Sequence, residues 1–157
     1  MNIVLEKSDF QKIILSVSNA VSTKSTMPIL ANILLETKDK QLRCAATDLE
    51  VGLDCLVPAT INKEGGIALP ARKLSEIVRE LPDAPVSITT ENNIAKVSCE
   101  KTTFTLSGMP KEDFPPIPAF PKSGGFEISQ NLLKKMIDKT KFAVSTEELR
   151  YALNGIY

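Results

Sequence analysis

Two groups of residues have the types and spacings that chemistry needs. The first is cationic. Arg72 and Arg79 stand two helical turns apart, so a helix would project both from one side, with Glu76 beside them and Lys73 on the flank. Lys12 and Lys135 hold matching outward places in two further stretches of the same pattern, and Lys134 and Lys139 flank Lys135. Helices lying side by side would pool these cations into a stripe that tracks phosphate oxygens and positions a duplex without reading its bases. On one helix alone, the same residues describe an ordinary solvated face. The second group is acidic: Asp48, Glu50 and Asp54. Oxygen ligands of this kind suit a divalent cation. An aspartate capping a tight turn is the simpler account of Asp48.

Other chemistries are narrowed by composition. The chain of 157 residues has no histidine, which removes Ser-His-Asp and Cys-His nucleophile systems and histidine-ligated zinc. Cys44, Cys55 and Cys99 lie far apart in apolar, strand-like runs with no C-x-x-C, a pattern of buried reduced thiols in a reducing compartment. No signal peptide or transmembrane-length segment is evident, so a cytoplasmic location is expected. Gly65-Gly66 precedes a strand and so makes no phosphate loop, and no nucleotide-binding or nucleophile-elbow motif is present. No cofactor and no metal are expected. Basic and acidic residues balance at 19 each, so any case for a nucleic-acid partner rests on where the charges sit.

The elements that must position these residues come from one repeated unit. Its copies are Ile3–Val17, Ile67–Leu81 and Phe126–Thr140, beginning 64 and 59 residues apart. Each opens with strand alternation (Ile3/Leu5, Ile67/Leu69, Phe126/Ile128). Each then changes to helical spacing (Phe10, Ile13, Ile14; Leu74, Ile77, Val78; Leu133, Met136, Ile137). Helices are expected over 8–19, 70–81 and 129–141, the first opened by a capping box of Ser8 and Gln11 and the second by Pro70 at its first position. Strands are expected over 2–6, 29–36, 41–47, 50–57, 67–69, 86–90, 94–99 and 103–107. Two β-α-β-β-β sets thus fill the first 108 residues. Phe104 and Leu106 alternate on the last of these strands. Core packing is their default role, though a final strand is often an edge that pairs with another subunit.

Residues 109–125 contain five of the ten prolines and close on Gly124-Gly125, the composition of a semi-rigid linker. A third unit follows, with strands expected over 126–128 and from Tyr151. Its set lacks the remaining strands, so a second domain is expected to begin here without finishing. The division is read as 1–122 and 123–157.

Five strings in order resemble one family: Thr26-Met-Pro-Ile-Leu-Ala-Asn-Ile-Leu-Leu35, Ala46-Thr-Asp-Leu-Glu50, Leu69-Pro-Ala-Arg-Lys73, Met109-Pro-Lys-Glu-Asp-Phe-Pro115 and Leu149-Arg-Tyr-Ala-Leu-Asn-Gly155. The chain resembles the bacterial DNA polymerase III β subunits, the sliding clamps, collinearly from Met1 to Tyr157. The resemblance implies an α+β DNA-clamp fold of repeated β-α-β-β-β units, with antiparallel sheets outside and helices on the inner face. It implies a non-enzymatic processivity factor: a homodimeric ring of full-length subunits around double-stranded DNA, serving a replicative polymerase and a clamp loader. It places Lys12, Lys24, Arg72, Lys73, Arg79, Lys134, Lys135 and Lys139 toward DNA. Lysine at position 24, where the family often has arginine, keeps the charge without the bidentate fork. Glu147 departs from a DNA-contacting loop position that is commonly uncharged. Lys96, Lys101, Phe104 and Leu106 fall at the subunit interface, and Arg150 and Leu153 at the margin of the pocket for partner peptides. The alternative is a truncated interaction module that engages clamp partners without encircling DNA. A carboxylate–metal hydrolase built on Asp48, Glu50 and Asp54 is the remaining reading.

Overall fold

Alternating apolar residues set the strands, and the 3.6-residue stripe sets the helices that cover them. The computed structural model describes residues 1–22, 26–118, 124–145, 147 and 151–157. It divides into two units, 1–118 and 119–157.

Unit 1 runs β1 (Asn2–Leu5), α1 (Lys7–Val17), β2 (Asn32–Lys38), β3 (Gln41–Thr47), β4 (Gly52–Pro58), β5 (Thr60–Lys63), β6 (Gly66–Pro70), α2 (Ala71–Glu80), β7 (Val86–Glu91), β8 (Ile94–Cys99) and β9 (Thr102–Ser107). The strands form two antiparallel sheets, ordered β5-β1-β7-β8-β9 and β4-β3-β2-β6. Each repeat lends its opening strand to the other. β1 pairs with β7 from Asn2↔Thr89 to Leu5↔Val86, and β6 pairs with β2 from Asn32↔Pro70 to Glu36↔Gly66. The exchange ties the two repeats into a single core. Phe10, Ile13, Ile14 and Val17 of α1 and Leu74 and Val78 of α2 are buried in it, against Ile3, Ile33, Leu69 and Ile88 of the strands. Each such side chain contributes about 1.5–3 kcal/mol.

The far face of the four-stranded sheet has its own small cluster: Ile29, Leu30, Leu34, Ala45, Ala68 and Phe114. Phe114 reaches it because residues 109–118, the first part of the expected linker, dock on the sheet. Met109 exchanges backbone hydrogen bonds with Ala68 at 3.0 and 2.8 Å. Gly108 permits this approach, since a Cβ there would lie 2.6 Å from the Ala68 carbonyl oxygen. Lys111 adds an ion pair to Glu36 at 3.0 Å. Glu36 also meets Arg43, whose guanidinium grips Asp54, so four charges link the docked segment to three strands.

Several expectations need correction. The Ser8–Gln11 capping box does not form; the helix starts at Lys7 with Glu6 as N-cap, which leaves Ser8 inside the first turn. Pro70 ends β6 as the N-cap of α2. Residues 28–31 form a 3-10 turn, because Pro28 supplies no strand donor, and β2 begins at Asn32. β5 was not expected. At Ala59 the chain steps out of β4 in one sheet and continues as β5 in the other.

In unit 2, α3 (Gln130–Thr140) opens on Ser129, whose Oγ accepts from the Leu132 amide at 3.2 Å. None of its residues is buried, and Leu132, Leu133, Met136 and Ile137 are 40–52% exposed. The strand expected over 126–128 does not form, and residues 151–153 form a 3-10 turn where a strand was expected to begin. A strand exists through its ladder partners, and no described segment of unit 2 supplies one.

Candidate nucleic-acid interface

Helices α1 and α2 touch one another and bury their apolar stripes in the same core, so their outward faces share one surface of unit 1. The expected cations stand on it. Lys12 is 79% exposed and lies 3.9 Å from Asp9 one turn earlier. Arg72 is 90% exposed, its Nε donating to Glu76 at 3.0 Å. Lys73 and Arg79 are exposed and make no hydrogen bond or ion pair among the described residues. In unit 2, Lys134 and Lys141 both grip Asp138, at 2.8 and 2.7 Å, and hold its carboxyl below the usual range. Lys135 and Lys139 project from α3 exposed and, among the described residues, without such partners. Lys24 and Arg150 lie outside the described residues.

The helices concentrate positive charge in a chain that has none overall. α1, α2 and α3 together hold eight Lys and Arg against four Asp and Glu, while the whole sequence balances at 19 and 19. Three of the eight stand in the first turn of their own helix, and Lys7 of α1 shares its turn with Asp9. Arg72 and Lys73 occupy the first turn of α2, which has no acidic residue. That end of the macrodipole is positive and favours anions, so each cation there costs about 0.3–1 kcal/mol. The Arg72–Glu76 pair recovers little, having the weaker order with the cation N-terminal to the acid. Sequence reasoning found these cations but not Glu76 and Asp138 as their competitors, although the four-residue spacings of Arg72–Glu76 and Lys134–Asp138 announce both pairs.

The acidic group has separated. The Asp48 carboxylate accepts from the backbone amides of Val51 at 2.7 Å and Glu50 at 3.0 Å, which keep it below the usual carboxylate range. Asp54 is taken up by Arg43, and Glu50 is exposed. Among the described residues, no group of three potential ligands is placed to hold a metal ion.

β9 is an edge strand. Its hairpin with β8 closes at Cys99↔Thr102, and the Gly108 amide donates to the Asn93 carbonyl at 2.7 Å. By antiparallel alternation, residues 102, 104, 106 and 108 spend their backbone groups on β8. Thr103, Thr105 and Ser107 therefore turn theirs to the open edge. Leu106 is buried in the core and Phe104 half-buried against it. Lys96 and Lys101 are exposed on and beside β8. In unit 2, Leu153 is 51% exposed, with its carbonyl accepting from the Ser145 amide at 2.9 Å.

Paired antiparallel sheets with cation-bearing helices on one surface define the class, a DNA-clamp domain. The solved Caulobacter crescentus pol III beta matches at a TM-score of 0.92 and 38% identity, over all of this chain and 43% of that one. A sliding clamp from Bartonella birtlesii, solved with griselimycin bound, matches at 0.91 and 36%, over 100% of this chain and 42% of that one. The Pseudomonas aeruginosa beta sliding clamp is 36% identical over 158 residues, covering 99% of this chain and 43% of the relative. Residues 1–118 match the model of the DNA polymerase III beta subunit, N-terminal domain, and the chain belongs to that family. It spans 38–43% of the length of the curated relatives it matches. Among the described residues, no helix is long and apolar enough to cross a membrane.

Proposed function

We propose that this chain forms the first domain, 1–122, and the opening of the second, 123–157, of a DNA sliding clamp subunit. Two full-length subunits close a ring around duplex DNA and tether the replicative polymerase after a clamp loader has placed them. The role is non-catalytic and cytoplasmic. Lys12, Lys24, Arg72, Lys73, Arg79, Lys134, Lys135 and Lys139 meet the phosphates, whatever the sequence. A closed ring holds DNA topologically, so weak, exchangeable contacts suffice and sliding stays fast. Paired cations suit this, because Lys12, Arg72 and Lys134 can swap an intrahelical carboxylate for a passing phosphate. Lys96, Lys101, Phe104 and Leu106 serve the subunit interface, with the open edge of β9 pairing across it. Arg150 and Leu153 edge the pocket for partner peptides.

The observation that carries this reading is the pair of cations in the first turn of α2. They oppose the fold's own electrostatics, and an anionic partner resolves the conflict. The test is a charge reversal of Arg72, Arg79 and Lys135 in a full-length clamp built on this sequence. Retention on closed circular DNA should fall at low salt, and its dependence on salt should flatten, because fewer phosphate contacts remain to be screened. Unchanged retention at every salt concentration would remove these residues from the DNA path.

A further inference from the structure

Cys44 and Cys55 stand directly opposite one another across the β3–β4 pair. Both side chains leave the sheet on one face. Cys44 is wholly buried in the main core, and Cys55 packs partly buried against the same cluster. The alternation set by the Asp48 amide bond to the Val51 carbonyl makes 44↔55 a hydrogen-bonded pair. Opposed Cα atoms at such a site lie about 5.5 Å apart. A disulfide spans roughly 4.4–6.8 Å between Cα atoms. β4 is an edge strand, held laterally by β3 alone. Cys55 also opens on a groove of about 450 Å³ between α1 and β4, lined with Asp9, Lys12, Ser16 and Leu56. One thiol can therefore be reached, and its neighbour stands behind it. Cys99 lies in the other sheet, its thiol directed at the carbonyls of Pro82 and Ala84.

We propose that Cys55 is a thiol-modification site, and that Cys44 resolves the modified thiol into a reversible cross-strand disulfide. The co-reactant is a low-molecular-weight disulfide such as oxidised glutathione. The Cys55 thiolate attacks one glutathione sulfur; the glutathione S–S bond breaks, and the departing thiolate is protonated from water. Cys44 then gives its proton to solvent and attacks the Cys55 sulfur, expelling the second glutathione. Two protein thiols are oxidised, and one glutathione disulfide is reduced to two thiols. Burial, with the neighbouring Cys55 second, raises the Cys44 thiol far above its ordinary range, so resolution is the slow step and needs the β4 edge to loosen. A hydrogen-bonded site sets the two Cβ atoms farther apart than a relaxed bridge prefers. The bond is strained, which makes it readily reduced again. This inference does not depend on the DNA reading.

The test incubates the folded chain with oxidised glutathione, quenches with acid, alkylates the remaining thiols in denaturant and measures intact mass and linked peptides. The expected product has lost two hydrogens, keeps only Cys99 open to alkylation and joins the Cys44 and Cys55 peptides. Dithiothreitol should restore all three thiols. Cys44→Ala should stop at a glutathione adduct on Cys55, and Cys55→Ser should leave Cys44 unmodified. Three alkylatable thiols in the treated wild type, a stable adduct there, or a link to Cys99 would each overturn the proposal.

Discussion

Replacing Lys73 with glutamate should move stability and DNA retention in opposite directions. Lys73 is the third residue of α2, exposed and without an ion pair among the described residues. A cation in that turn costs about 0.3–1 kcal/mol and an anion gains a similar amount, so the exchange is worth about 1 kcal/mol. A new like-charge neighbour, Glu76, removes about 0.3 kcal/mol of it. The net gain of about 0.7 kcal/mol should raise the Tm by about 2–4 °C for a domain of this size. Thermal unfolding followed by circular dichroism measures this on the chain itself. In a full-length clamp, the same substitution removes one phosphate contact and should flatten the logarithmic salt dependence of retention by about 0.9. A lower Tm would refute the dipole argument. An unchanged salt dependence would refute the placement of Lys73 at the phosphates.

Glu76→Gln should strengthen DNA retention about twofold at low salt, since it frees Arg72 from a pair worth about 0.3–0.5 kcal/mol; a titration against duplex DNA in the full-length clamp checks it. Arg43→Met leaves Glu36 and Asp54 without the cation between them, and at 16% side-chain exposure it should cost about 2 kcal/mol, or about 1 M in the urea midpoint. Burial alone would raise the Glu36 carboxyl, but Lys111 and then Arg43 hold it below the usual range. Its folded value lies below its unfolded one, so its contribution is complete above the ordinary carboxylate range near pH 4 and is lost as pH falls through the folded value. Glu36→Gln should therefore flatten the acid limb of a plot of urea midpoint against pH. Thr105→Pro removes only an amide that faces the open edge of β9, so light scattering should find the full-length clamp monomeric while its circular dichroism stays native.

Periodicity made the repeats legible. β3 and β8 fall where the alternation puts them, and α1 and α2 lie within two residues of the expected spans, because local pattern and burial agree there. Pairing was not legible. Nothing in Ile3–Leu5 or Ile67–Leu69 names a partner, so the exchange of β1 and β6 between repeats is visible only in three dimensions. Ala59 looks like any loop residue, and β5 was missed because its four residues join a different sheet from β4. The prolines of 109–118 read as a spacer. Phe114, with Met109 and Ile117 packed partly buried beside it, pins that stretch to the sheet, and the three fall at no strand or helix period that could be detected. Of the candidate site, the cations were legible from helical spacing. Their significance at the start of α2 required the helix boundary at Ala71, since the macrodipole argument turns on which turn they occupy.

Linearising the DNA tests the central claim most directly. A full-length clamp containing this sequence is loaded on circular duplex DNA, the circle is cut once, and the protein remaining bound is measured at moderate salt. A sliding ring held by topology and weak phosphate contacts should stay on the circle and run off the cut ends. Equal retention before and after cutting would contradict the account, because it would mean that direct affinity, and not encirclement, holds the protein to DNA.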